Sequence, residues 1–177
     1  RGGAAMILQQ TDDGELLALC QGSPTTPLIY THLIPATLDG RARMNVANAL
    51  AAAAAAHAAG AGIQAIVDGL TSMRAVTGRL EVRSAHAGAR MIDDSYNANP
   101  ASLRAGLRAL TSIPGRHWLV LGEMRELGPA SAQLHAEMGE FARQTGVARL
   151  LAVGDDAHHA VEAFGTGATW FASVDDM

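Results

Sequence analysis

Beyond residue 116 the chain alternates short apolar runs with amphipathic stretches, and this alternation constrains its fold more than any other feature. The runs His117–Gly122 (HWLVLG), Arg149–Gly154 (RLLAVG) and Ala168–Ala172 (ATWFA) read as strands, the first two buried. Between them, Ser131–Gln144 sets Leu134, Met138 and Phe141 on one side of a helix, and Ala157–Phe164 reads as another helix. Strand, helix, strand, helix, strand predicts an α/β architecture with a doubly wound parallel sheet.

The first part of the chain reads differently. Ala4–Gln10 and Glu15–Gln21 are apolar runs separated by Thr11-Asp12-Asp13-Gly14, whose Asp-Gly pair favours a tight hairpin. Pro27–Ile34 is expected to add a third strand. Asn45–Ala59 contains the unbroken alanines Ala51 to Ala56, which give high helix propensity and side chains small enough for close packing on a sheet. Gly60 and Gly62 end that helix, and Ile66, Val67 and Leu70 mark a second one over Ile63–Met73. A boundary near Thr77-Gly78 divides the chain into 1–77 and 78–177. Just past it, Leu80-Glu81-Val82 and Ala89–Ile92 flank His86-Ala87-Gly88 as a hairpin or strand pair. Ala101–Leu110 is a helix with Leu103, Leu107 and Leu110 on one face and Pro100 just before it.

Composition removes several function classes. All 13 basic residues among the 177 are arginine, so neither a P-loop lysine nor a Schiff-base lysine can come from this chain alone. A formal charge of -4 provides no electrostatic footprint for nucleic acid. Cys20 is the single cysteine and forms no internal disulfide, no uninterrupted apolar run reaches the roughly 18 residues of a membrane span, and Arg1-Gly2-Gly3 lacks the layout of a signal peptide. A reducing, cytoplasmic setting is expected. The chain starts in mid-pattern and stops at Asp175-Asp176-Met177, which reads as a helix just starting, so a fragment of a longer protein is expected.

In open parallel sheets, ligands bind at the carboxyl ends of the strands. Gly122-Glu123-Met124-Arg125-Glu126-Leu127-Gly128 lies there, as a binding edge or as a solvated loop with local ion pairs. Gly154-Asp155-Asp156-Ala157-His158-His159 also lies there. In that segment Asp155 suits a helix N-cap, Asp156 suits the helix dipole, and adjacent histidines are expected to point to different faces, so no metal is expected. His135 reads equally well as a partly buried surface residue. The run Asp93-Asp94-Ser95-Tyr96-Asn97-Ala98-Asn99-Pro100 is a denser set of donors and acceptors than a turn requires. It suits a ribose, a phosphate-bound magnesium or a peptide, with a plain Asx-turn connection standing level beside them.

The DSYNANP run, followed by Leu121–Gly128 (LGEMRELG) and His135, resembles the Mur ligase family, over the stretch from about Gly60 to the C-terminus. That resemblance implies the end of a central ATP-binding domain in 1–77 and a Rossmann-like C-terminal domain, truncated at its end, in 78–177. It implies an ATP-dependent amide ligase of peptidoglycan synthesis, most similar to the branch that joins D-alanyl-D-alanine to UDP-N-acetylmuramoyl-tripeptide through an acyl phosphate, with Mg2+ bound mainly by upstream residues. Asn45 and Asn48 match the family's adenine-site Asn-x-x-Asn helix, Arg79 its nucleotide-contacting arginine after a glycine, and Asp94 its aspartate near the ribose. Amides pair with an adenine edge, guanidinium with phosphate and carboxylate with hydroxyls. Tyr96, Asn97, Asn99, Glu123, Arg125 and His135 are the residues expected to line the acceptor site, and no catalytic residue is assigned. The bland alternatives are a helix N-cap for Asn45 and a surface ion pair for Arg79.

Residues 1–60, with Leu33–Leu38 and Met44 before Asn45 where the family commonly has histidine, instead resemble the Mur-ligase-like half of cyanophycin synthetase. A cyanophycin synthetase region and a non-catalytic Rossmann-like binding module are therefore the two alternatives. The phosphate loop, carbamylated lysine and UDP-sugar domain that the family uses are expected upstream, so this chain by itself is expected to be inactive.

Overall fold

A computed structural model describes residues 3–177. Arg1 and Gly2, part of the N-terminal stretch read above for a signal peptide, lie outside the described residues. The chain forms two compact units divided between Val76 and Thr77.

The first unit is an antiparallel meander of β1 (Ala5–Thr11), β2 (Gly14–Cys20) and β3 (Thr26–Tyr30), with helices α1 (Arg43–Ala58) and α2 (Ile63–Ser72). The hairpin register runs from Ala5 opposite Cys20 to Thr11 opposite Gly14, so Asp12 and Asp13 form the turn and Gly14 already belongs to β2. Alternating residues of the strands and the small face of α1 meet in a core of Leu17, Ile29, Ile34, Ala49, Ala53, Ile66 and Leu70. The third strand stops at Tyr30 rather than Ile34. There the buried Thr37 hydroxyl donates to the carbonyls of Thr31 (2.6 Å) and Ile34 (2.8 Å), curling 31–37 into two short 3-10 turns.

The second unit opens with an antiparallel pair, β4 (Glu81–Ser84) and β5 (Arg90–Asp93), followed by α3 (Pro100–Thr111). Then come β6 (Trp118–Gly122), α4 (Ser131–Gln144), β7 (Arg149–Val153), α5 (His158–Phe164) and β8 (Ala168–Phe171). The three strands form a parallel sheet in the order β6-β7-β8. A doubly wound sheet carries helices on both faces, and here the arrangement differs. When consecutive strands are also neighbours, crossovers of one hand put their helices on the same side. Accordingly Leu107 of α3, Ala142 of α4, and Ala160 and Phe164 of α5 share one core with Leu121, Leu150 and Ala152. The opposite face carries Trp118 (54% exposed) and Val120 (60% exposed). The helices α4 and α5 approach so closely that a Cβ on Gly139 would lie 2.0 Å from the carbonyl oxygen of Ala160. Among the described residues no helix is long and apolar enough to cross a membrane.

Candidate functional site

In the first unit, α1 begins at Arg43 with Ala42 as its N-cap, so Asn45 sits inside the first turn and is not the cap. Its Nδ2 donates to the Ala36 carbonyl at 2.6 Å, tying the helix start to the preceding 3-10 turn and leaving Oδ1 as an acceptor. Asn48, three residues on along the same face, is exposed.

In the second unit, two segments are knotted together. Gly78 has a φ of +72°, and a Cβ there would lie 3.1 Å from the Tyr96 nitrogen. Glycine is needed because the Tyr96 N–H donates to the Gly78 carbonyl at 3.0 Å. The Arg79 guanidinium then lies 4.3 Å from the centroid of the exposed Tyr96 ring, a cation–π contact and not the surface ion pair of the bland reading. Leu80, in the left-handed region at φ 53°, donates its N–H to Asp94 Oδ1 at 3.2 Å. Burial pushes the Asp94 carboxyl above the ordinary carboxylate range, against the opposing pull of the Leu80 hydrogen bond and the Arg79 charge. Arg79, Asp94 and Tyr96 are thus gathered at one place.

The rest of the polar run divides. Asp93 accepts from the Ser95 hydroxyl (2.6 Å) and N–H (3.1 Å), and these bonds, with the Arg83 charge, hold its carboxyl below the usual range. Asn99 caps α3: its Oδ1 accepts the Ser102 N–H at 2.9 Å while Ser102 Oγ accepts the Asn99 N–H at 3.1 Å. The Asn99 side-chain oxygen thus closes a capping box, while the residue itself is exposed. Asn97 is exposed.

At the carboxyl end of the parallel sheet, Glu123, Arg125 and Glu126 are exposed and Met124 between them is buried. Glu123 fills the space above Gly154 at the end of β7: a Cβ on that glycine would lie 2.8 Å from Glu123 Cβ and 3.0 Å from its Oε2. His135 departs from its expected place. It is fully buried, accepts the Met124 N–H on Nε2 at 2.9 Å, and bonds the Ser131 carbonyl through Nδ1 at 2.9 Å. It therefore supports the loop from beneath instead of lining its surface. Asp155 is not an N-cap either, since α5 starts after Ala157 and has no side-chain cap. Nor do the adjacent histidines diverge. Their rings lie 3.8 Å apart by centroid, and with Glu162 they bring ligating atoms within 4.8 Å of one another.

Residues 78–177 match the family model described as Mur ligase, glutamate ligase domain, which spans both the Gly78–Tyr96 knot and the Glu123–Leu127 loop. The chain belongs to the Mur ligase family. It is 43% identical over 125 residues to the UDP-N-acetylmuramoyl-tripeptide–D-alanyl-D-alanine ligase of Escherichia coli K12, a match covering 71% of this chain and 28% of that one. The like-named ligase of Mycobacterium tuberculosis CDC 1551 is 41% identical over 137 residues, covering 69% of this chain and 27% of the other. This chain thus spans about a fifth to a third of the length of such relatives. A crystal structure of MurF from Acinetobacter baumannii superposes with a TM-score of 0.70 at 32% identity, over 93% of this chain and 34% of that one. The MurF ligase of Thermotoga maritima in complex with ADP shares the fold, with a TM-score of 0.66 at 19% identity over 96% of this chain and 37% of its own.

Within this Mur ligase chain, two contacts escape sequence reasoning. The seating of Glu123 on Gly154 joins residues far apart in sequence, and only the glycine after a strand hinted at it. The clamp of His135 on Met124 had a weak local signal in the Ser131-x-x-x-His135 spacing of one helical turn.

Proposed function

We propose that the full-length protein carrying this chain is an ATP-dependent amide ligase that joins D-alanyl-D-alanine to UDP-N-acetylmuramoyl-tripeptide in peptidoglycan synthesis. The observation that carries this reading is the 43% identity to the Escherichia coli ligase of that name. In this reading residues 1–77 end the central ATP-binding domain and residues 78–177 begin the C-terminal one. When bound, ATP supplies the phosphoryl group that activates the tripeptide carboxylate as an acyl phosphate, and the dipeptide amine then displaces phosphate.

The donor set of this chain suits the nucleotide. Taken each by itself, the first unit offers Asn45 Oδ1 and the Asn48 amide as acceptor and donor suited to an adenine edge, and the second offers the Asp94 carboxylate as an acceptor suited to ribose hydroxyls and the Arg79 guanidinium as a partner suited to phosphate. Tyr96 holds that guanidinium by its ring face, so Arg79 is oriented before a phosphate arrives. Mg2+ falls to other parts of the full-length ligase. Glu123 and Arg125 offer opposite charges to the ammonium and carboxylate of the incoming dipeptide, with Tyr96 and Asn97 beside the nucleotide. Their contribution is positioning and charge neutralisation.

The test is ADP release by the full-length protein supplied with Mg-ATP. Release that requires both UDP-N-acetylmuramoyl-tripeptide and D-alanyl-D-alanine is expected. Release driven by aspartate or arginine on a cyanophycin primer would assign the protein to cyanophycin synthesis. ATP binding with no turnover under any of these conditions would make the chain part of a binding module.

A further inference from the structure

Among the described residues, His135 is the one buried ionisable side chain, and the proposed reaction leaves it without a part. It is 0% exposed, and both of its ring nitrogens face backbone groups whose roles cannot be exchanged. The Met124 N–H only donates, so Nε2 presents its lone pair; the Ser131 carbonyl only accepts, so Nδ1 carries the proton. The Ser131 hydroxyl, 3.3 Å from Nδ1, is free to rotate and imposes nothing further. The ring is therefore neutral and held in one tautomer by geometry alone.

What the ring holds is a single point of the loop after β6. Met124 is 1% exposed, while its neighbours Glu123 and Arg125 are exposed. Glu126 then takes a φ of 63°, so the backbone turns sharply just beyond the clamp. On the near side, Glu123 is seated over the bare Cα of Gly154. The two exposed charges flank one fixed backbone position, and α4 fixes it.

We propose that His135 is a positioning residue for ligation: through the Met124 N–H its neutral imidazole sets where Glu123 and Arg125 stand, and so where the incoming amine substrate is held. This rests on the reading above that the loop faces the dipeptide. Removing the acceptor leaves a buried N–H unpaired, which the loop relieves by shifting.

The test uses the full-length ligase. His135→Leu is expected to raise the KM for D-alanyl-D-alanine by about tenfold while the KM for ATP stays within about twofold. His135→Gln, whose amide oxygen can take the place of Nε2, is expected to recover most of the loss. Equal changes in both KM values, or equal effects of Leu and Gln, would overturn the proposal. A second measurement does not depend on any variant folding: in the wild-type full-length protein, the nitrogen-15 shifts of the His135 ring at neutral pH should show Nδ1 protonated and Nε2 bare. A charged ring or the opposite tautomer would overturn the clamp. If wild-type ligase ignores D-alanyl-D-alanine altogether, the substrate reading fails while the tautomer result stands on its own.

Discussion

Asp94 uses one carboxylate for two purposes, and its chemistry follows from the conflict. Oδ1 holds the Leu80 N–H, while Oδ2 lies against α3, 3.4 Å from where a Cβ on Gly106 would be. That packing raises its proton affinity in the folded protein. A raised carboxyl favours the folded state while protonated, so its contribution is present below the unfolded value of about 3.9 and is lost as pH climbs through the higher folded value. Asp93 runs the opposite way: its contribution is present above the ordinary value and disappears on acidification through its lowered one. Asp94→Asn keeps an acceptor for Leu80 and removes the charge. Urea unfolding across a pH series should therefore show the wild type losing stability relative to this variant as pH rises from about 4; a constant difference between the two would contradict the desolvation of Asp94. At this scale the sequence was only partly legible. The run from Asp93 to Pro100 announced a polar turn, and although Asn99 and Asn97 are the same residue type, only the Pro100 that follows Asn99 marks it as the helix cap, leaving the side chain of Asn97 without a local assignment.

Elements were legible where periodicity and breakers agreed. The alanine-rich helix, the helix after Pro100 and the strands around residues 120 and 150 all follow from patterns a few residues long. The third strand was not, because its end is decided by the Thr37 hydroxyl reaching back to carbonyls three and six residues earlier, and an apolar run contains no sign of that. The same limit hides Gly139. In sequence it is a poor helix residue in the middle of α4, with a cost relative to alanine of about 1 kcal/mol. In the fold it is the point where α5 crosses, since a Cβ would lie 2.0 Å from the Ala160 oxygen and 2.7 Å from its carbonyl carbon. Backbone atoms cannot swing aside as a flexible side chain can. Gly139→Ala should therefore destabilise the second unit by about 1–3 kcal/mol, the usual cost of overpacking, despite its better helix propensity. Denaturant unfolding followed by circular dichroism decides it, and a variant as stable as the parent would mean that the helices separate freely.

Over the whole molecule, the alternation of strands and helices was enough to reach a parallel α/β unit but not to say which faces are covered. That depends on strand order. Consecutive strands that are also neighbours place α4 and α5 together, leaving Trp118 and Val120 on the side away from the helices. Arg149 covers Trp118 only in part, with its guanidinium carbon 5.7 Å from the ring centroid. Exposed apolar side chains of this kind on a folded unit offer a place for hydrophobic dyes to bind without unfolding. This chain should accordingly enhance anilinonaphthalene sulfonate fluorescence under native conditions, and Trp118→Gln combined with Val120→Thr should remove much of the enhancement. Both residues lie outside the buried core, so the pair should change unfolding free energy by no more than about 1 kcal/mol, the sum of two ordinary surface substitutions. Dye binding that survives the double substitution would place the exposed apolar surface elsewhere. A large loss of stability would mean that these side chains belong to a packed core and that the sheet is covered on both faces after all.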